Sequence, residues 1–134
     1  MTKLIKIEGI GEAFEKKLNA AGLFSVQDLL EKGATPKGRK DIAAKTGISD
    51  ALILKWANRA DLFRIKGIGE EYSDLLEAAG VDTIPELAQR KADNLYLKLV
   101  EVNEAKKLVR KLPAQSQIKN WVDQAKKLPR LLTY

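Results

Sequence analysis

Apolar residues recur at helical spacing along most of the chain, and small polar residues or glycine interrupt them at short intervals. The first such segment predicts a helix over residues 12–21, because Gly22 follows it and glycine readily adopts the conformation that ends a helix. Ser25, with an acidic residue three positions later, and Thr35, followed by proline, are typical of the first residues of two further helices. Ser49 begins a fourth helix, which carries Trp56 on its apolar face.

The second half of the chain repeats this pattern. Residues 65–90 align with residues 7–32 with ten identities, which include a Gly-Ile-Gly turn and an Ala-Ala-Gly helix end in both copies. Farther along, Trp121 corresponds to Trp56 at an offset that is larger by seven residues, and we place this insertion within residues 104–113. Self-similarity of this kind indicates duplication of one structural unit.

The repeat predicts an all-α protein of two tandem units, residues 1–61 and residues 62–134. In the second unit, Thr83 and Asp93 are the predicted helix caps, and a closing helix is expected over residues 114–127. No Gly, Ser or Pro linker separates the units, so we expect them to pack as one compact body.

The composition removes most enzyme chemistry from consideration. The 134 residues include no cysteine and no histidine, which excludes thiol nucleophiles, histidine bases and the usual zinc ligands. The carboxylates are scattered over predicted helix surfaces and form no paired site in an apolar pocket. We therefore expect a protein that is not an enzyme and has no cofactor, no metal and no small-molecule substrate.

Charge and hydropathy indicate the kind of partner. The formal net charge of +6 favours binding to polyanions. Residues 63–97 carry four basic and seven acidic side chains, whereas residues 98–130 carry nine basic and three acidic ones. No apolar run is long enough to cross a membrane and no secretory signal is recognisable, so the expected location is cytoplasmic, without membrane association.

The segments LIKIEGIGEAFEKKL and LFRIKGIGEEYSDLL resemble the helix-hairpin-helix family. Their tandem arrangement, each unit closed by a tryptophan-bearing helix, resembles a bacterial family of unknown function that is built from two such units, over nearly the whole chain. The resemblance implies contact with DNA phosphates, without sequence preference, through backbone amides of the turn. These residues are Gly9, Ile10 and Gly11 in the first copy, and Gly67, Ile68 and Gly69 in the second.

The sequence departs from the family pattern directly after each turn. Glu12 and Glu70 stand where the family commonly has proline or a basic residue, and a carboxylate there competes with a phosphate for the helix start. The second copy adds further acidic residues in the same helix, so the first turn is the better candidate. The basic residues expected to assist it are Lys6, Lys16 and Lys17.

Two basic segments follow in the second copy. The run over residues 104–112 predicts a helix with its cations on one side, a secondary nucleic-acid-binding candidate formed by Lys106, Lys107, Arg110 and Lys111. Residues 126–134 are interpreted either as a docking segment or as a tail that packs on the protein's own core. The leading hypothesis is weak binding of nucleic acid, with duplex DNA favoured. The alternative is a protein-protein interaction or scaffolding module with purely structural hairpins, which docks a partner or a second copy of itself.

Overall fold

The computed structural model describes residues 2–134, which form eight α-helices and one short 3-10 helix. Within this range there is no β-strand, and a single antiparallel bridge joins Lys3 to Ser25. The predicted all-α fold class is therefore confirmed. The 3-10 helix spans Leu4–Lys6, and the α-helices are α1 Glu12–Ala20, α2 Val26–Lys32, α3 Pro36–Thr46, α4 Asp50–Leu62, α5 Glu70–Ala78, α6 Ile84–Ala88, α7 Ala92–Lys106 and α8 Gln115–Lys127.

The chain divides into two units. The first contains the described residues up to Asp61 together with Arg130–Tyr134, and the second contains Leu62–Pro129. The sequence likewise divides the chain after residue 61, but it assigns residues 130–134 to the second unit. In the structure this segment lies in the first unit, where its contacts with a buried arginine hold it.

Side-chain caps fix the starts of α2 and α3 in the first unit as the sequence predicts. The Ser25 hydroxyl accepts a hydrogen bond from the Asp28 N–H (3.1 Å), and the Asp28 carboxylate accepts one from the Ser25 N–H (3.2 Å). The Thr35 hydroxyl accepts from the Gly38 N–H (3.0 Å) at the start of α3. Each cap satisfies an amide that has no partner inside its helix.

In the second unit one of the two predicted caps is correct. The Thr83 hydroxyl accepts a hydrogen bond from the Glu86 N–H (3.1 Å) at the start of α6. The prediction of Asp93 as the cap of α7 is wrong, because Lys91 occupies that position in an extended conformation and Asp93 lies inside the first turn. There a carboxylate is favourable to the helix dipole, so the same residue serves a different role.

A tryptophan anchors the core of each unit. Trp56 in α4 and Trp121 in α8 are both 1% exposed, which confirms that they are core residues. Phe14 packs edge-on against Trp56 with ring centroids 5.1 Å apart, and Tyr72 packs against Trp121 at 5.3 Å. Full burial of a large side chain stabilises a fold by roughly 2–3 kcal/mol, so the two tryptophans are major contributors to their cores.

The backbone hydrogen bonds around each Gly-Ile-Gly turn repeat at an offset of 58 residues. The Ile10 N–H donates to the Ile7 carbonyl oxygen (3.1 Å), and the Ile68 N–H donates to the Ile65 carbonyl oxygen (3.2 Å). The sequence repeat therefore corresponds to a repeated local structure.

The inserted residues of the second copy lie in α7 and in the connector that follows it. Helix α7 has 15 residues where α3 has 11, and residues 107–114 join α7 to α8 where residues 47–49 join α3 to α4.

The prediction of a continuous helix over residues 104–112 is wrong, since α7 ends at Lys106. Lys107 adopts a left-handed conformation (φ 50°), and its N–H donates to the Asn103 carbonyl oxygen (2.8 Å). The Asn103 side chain then bonds both backbone groups of Val109, at 3.2 Å and 3.0 Å. This amide holds the chain in a turn that a helix would not allow.

The two glycines of the second turn allow a test of what holds the turn in place. A Cβ atom on Gly67 (φ 101°) would lie 2.8 Å from Trp121 Nε1, whereas one on Gly69 would meet nothing within 4 Å. We expect Gly67→Ala to lower the free energy of unfolding by about 2–4 kcal/mol, because it adds backbone strain and overpacking against a buried ring. The matched control Gly69→Ala should cost less than about 1 kcal/mol. Urea titrations of both variants measure this difference, and equal losses would contradict it.

Candidate nucleic-acid interface

The first Gly-Ile-Gly turn lies between the 3-10 helix and α1, and Trp56 supports it. Gly9 has a φ of 96°, a conformation that side-chain-bearing residues rarely adopt. A Cβ atom on Gly9 would lie 3.3 Å from Trp56 Nε1, so the indole packs directly against the turn. Phe14 in α1 contacts the same ring. Contacts with the buried Trp56 thus position both the turn and the start of α1.

Ile10 anchors the turn and offers no amide to a ligand. Its side chain is 2% exposed, and its N–H is engaged by the Ile7 carbonyl oxygen. The Ile10 amide, which the sequence analysis includes among the phosphate donors, is therefore already engaged within the turn, and the Ile68 amide is engaged in the same way. The amides at the start of α1 can take the place of the Ile10 amide. The first hydrogen bond of α1 runs from the Glu15 N–H to the Gly11 carbonyl oxygen (2.9 Å), so the N–H groups before Glu15 have no partner within the helix.

Gly11 occupies the N-cap position of α1 in an extended conformation (φ −89°, ψ −174°) that any residue adopts. A Cβ atom there would meet nothing within 4 Å. Neither backbone strain nor packing within the described residues requires glycine at this position. Its effect is to leave the positive end of a nine-residue helix uncovered by any side chain at the cap.

The predicted cations of this site are all exposed. Lys16 Nζ lies 3.9 Å from the Glu12 carboxylate, and both side chains are largely in solvent, at 76% and 81% exposure. Lys17 Nζ lies 5.8 Å above the Phe14 ring. Lys6 ends the 3-10 helix three residues before Gly9. The structure thus places all three cations on the two elements that flank the turn.

The second turn has the same backbone but a different setting. Gly67 faces the Trp121 indole, whose buried N–H has no hydrogen-bond partner among the described residues. The Gln124 side chain accepts from the Lys66 N–H (2.9 Å) and donates to the Lys66 carbonyl oxygen (3.1 Å). Helix α5 then begins with two glutamates, Glu70 and Glu71, both exposed. Helix α8 thus fixes this turn from one side, and negative charge surrounds the helix start.

The secondary cationic candidates do not share one helix face. Lys106 ends α7, while Lys107, Arg110 and Lys111 lie in the irregular connector. The Tyr72 hydroxyl donates to the Lys111 carbonyl oxygen (3.0 Å), which ties the connector to α5. All four side chains remain exposed, so the end of α7 and the start of the connector form a basic segment, here called the basic connector, and not the helical stripe that the sequence predicts.

Comparison with known proteins assigns the chain to a family. A family model described as a domain of unknown function, DUF4332, matches residues 8–128. The chain belongs to the DUF4332 family. No curated protein and no solved structure matches it.

One residue of this DUF4332 domain has a role that sequence analysis did not predict. Arg39 lies in a basic helix start with Lys37 and Lys40, which suggests a solvent-exposed cation, yet its side chain is only 5% exposed. Its guanidinium donates to the Gly33 carbonyl oxygen (2.9 Å) and to the Thr133 carbonyl oxygen (2.7 Å). The available signal was its spacing, since Arg39 precedes the buried Ile42 by three residues on α3.

The remaining searches of the DUF4332 domain concern membranes and metals. Across residues 2–134, none of the helices combines the length and apolar character needed to span a bilayer. The same residues contain no cluster of three or more His, Cys, Asp or Glu side chains that could hold a metal ion.

Proposed function

We propose that this DUF4332 protein binds nucleic acid, with duplex DNA as the favoured ligand, through a helix-hairpin-helix phosphate site at its first turn. The observation that carries the proposal is Gly11, a glycine that neither the backbone nor the packing requires and that leaves the start of α1 open. A helix start without a covering side chain is suited to an anion, because its amides and its dipole both favour negative charge.

The mechanism assigns different tasks to the residues of the turn. Gly9 and Ile10 shape the turn, and the amides of Gly11 and the first residues of α1 donate to phosphate oxygens. Lys6, Lys16 and Lys17 neutralise neighbouring phosphates along the backbone, and each neutralised phosphate releases counterions. Contacts of this kind position a protein on the duplex and read no sequence, so binding is expected to be weak and non-specific.

Glu12 does not block this mechanism energetically. Its carboxylate and Lys16 form an exposed pair at 3.9 Å, and pairs of this kind contribute about 0–1 kcal/mol. Breaking the Lys16–Glu12 pair so that Lys16 can contact a phosphate therefore costs little free energy. The carboxylate weakens the site by repulsion without occupying the Gly11 amide, since it extends along the helix toward Lys16.

The alternative function is a protein-protein interaction or scaffolding module in which both turns are structural. The second turn favours this interpretation, because α8 holds Lys66 with two hydrogen bonds and acidic residues begin α5. We assign the second turn to architecture and the first to binding. If the alternative holds for both turns, the protein binds no DNA.

A salt titration with charge-reversal variants tests the contribution of the lysines. Fluorescein-labelled duplex DNA should bind the protein with a dissociation constant of roughly 10⁻⁴ to 10⁻⁶ M near physiological salt, and more tightly at low salt. Lys16→Glu with Lys17→Glu should weaken binding and reduce the slope of log K against log salt by about two. The matched control Lys106→Glu with Lys107→Glu changes net charge equally on the connector and should have the smaller effect. Absence of binding by the wild-type protein in low salt would contradict the proposal.

Aspartate at the N-cap distinguishes a phosphate site from a merely structural turn. In Gly11→Asp, the new carboxylate accepts hydrogen bonds from the amides at the start of α1 in place of phosphate, so we expect at least about a tenfold loss of DNA affinity. Stability should stay within about 0.5 kcal/mol of wild type, because aspartate is at least as good a cap as glycine. Gly69→Asp adds the same charge in the second unit and should leave affinity nearly unchanged. Equal losses in the two variants, measured by fluorescence anisotropy, would show that the first turn has no special role.

A further inference from the structure

Residues 130–134, here called the strap, lie on the first unit in an extended, non-helical conformation. Leu132 is 2% exposed, and the Thr133 N–H donates to the Ala34 carbonyl oxygen (2.8 Å). The Tyr134 hydroxyl donates to the Asn58 side-chain oxygen (2.7 Å). The Thr133 hydroxyl also donates to the Ala34 carbonyl oxygen (3.4 Å). The strap is therefore held by a buried leucine and by backbone and side-chain hydrogen bonds, in addition to Arg39.

Arg39 makes the receiving surface a built site. Its guanidinium is buried, and it donates both to the Gly33 carbonyl oxygen and to the Thr133 carbonyl oxygen of the strap. A buried guanidinium edge without an acceptor is costly, so the site requires a main-chain carbonyl at the position of Thr133. The receiving surface, here called the strap site, consists of Gly33, Ala34, Arg39 and Asn58.

The aromatic end of the strap adds a second recognition element. Two guanidinium groups lie close to the Tyr134 ring, that of Arg39 at 5.9 Å from its centroid and that of Arg130 at 5.5 Å. Since Arg130 also donates to the Leu132 carbonyl oxygen (3.1 Å), the strap is ordered by its own side chain as well as by the site. Arg130 thus orders the strap itself, whereas the Thr133 carbonyl oxygen and the Tyr134 ring contact Arg39 of the strap site.

The covalent path to the strap allows it to be exchanged between molecules. Pro129, its neighbour, closes the second unit and follows the end of α8 at Lys127, and no helix or sheet contains the strap. Exchange of an identical segment between two copies makes the same contacts without creating any new surface, which is why it is a low-cost route to a dimer.

We propose that the strap and the strap site form a transferable pair, through which two copies of this chain associate by placing the strap of one copy in the strap site of the other. The same contacts made within one chain keep the site filled at low concentration, because a short tether gives the strap an effective concentration in the millimolar range. This inference is independent of the proposed nucleic-acid binding, since it uses none of the residues assigned to the first turn.

A complementation experiment tests the proposal with full-length chains. Leu132→Asp disables the strap and leaves the strap site intact, whereas Arg39→Met disables the site and leaves the strap intact. At a total concentration of about 500 μM, in the range of the tethered contact, an equimolar mixture should show a 1:1 heterodimer by light scattering and sedimentation. Each variant alone should have the mass of one chain. Replacing either partner with the Leu132→Asp, Arg39→Met double variant should abolish the heterodimer.

The outcomes decide the proposal provided that the variants fold, which circular dichroism and urea unfolding establish. A mixture of folded variants that keeps the mass of one chain would overturn it. If Arg39→Met does not fold, a labelled peptide of residues 128–134 replaces it as the probe. This peptide should bind Leu132→Asp at least about tenfold more tightly than wild type, whose own strap competes. Equal binding to both proteins, or binding to neither, would overturn the proposal as well.

Discussion

The contact between a closing-helix tryptophan and a left-handed glycine fixes the local structure of each unit. Trp56 packs against Gly9 and Trp121 against Gly67, so a Cβ atom on the glycine would lie 3.3 Å from the indole nitrogen in the first unit and 2.8 Å from it in the second. The last helix of a unit thereby positions its first turn. Because the glycine φ angles are positive, a larger residue at either glycine introduces backbone strain. Because the tryptophans are buried, a smaller residue in place of either one leaves a cavity.

This shared constraint leaves the surface of each turn to diverge. In both copies the turn is followed by a helix that begins at a glycine without a side-chain cap, and only the first copy has lysines on both flanking elements together with an N-terminal helix residue paired to one of them. In the second copy, Gln124 bonds the backbone of Lys66, and glutamates follow the turn. The same backbone thus supports a candidate anion site in one unit and a structural joint in the other. The two turns therefore share their backbone hydrogen bonds and differ in the side chains around them.

Local sequence signals predicted much of the fold. The caps at Ser25, Thr35 and Thr83 follow from side chains that reach amides three residues away, and the tryptophans follow from helical spacing. The features that were missed depend on distant contacts or on competition between neighbours. Asn103 ends α7 by bonding Val109, and the burial of Arg39 depends on a residue 94 positions away in sequence.

The candidate site shows the same division. The pattern Gly-Ile-Gly indicated where the turn lies, but the sequence analysis treated the two glycines and the isoleucine as equal donors. The backbone assigns them separate roles: Gly9 supplies the left-handed turn, Ile10 fills the core and uses its own amide, and Gly11 leaves the helix start open. Such roles depend on φ angles and hydrogen bonds, which a sequence pattern does not specify.

The most direct test of this division is an amide-resolved NMR titration of the full chain with a short DNA duplex at low salt. The amide signals of Gly11 and Ala13 should shift saturably and together, while those of Ile10 and Gly69 stay nearly constant. Parallel shifts at both turns, or shifts confined to the basic connector, would contradict the claim that phosphate binds at the helix start of the first turn, which is flanked by lysines, and not at the equally uncapped start of α5.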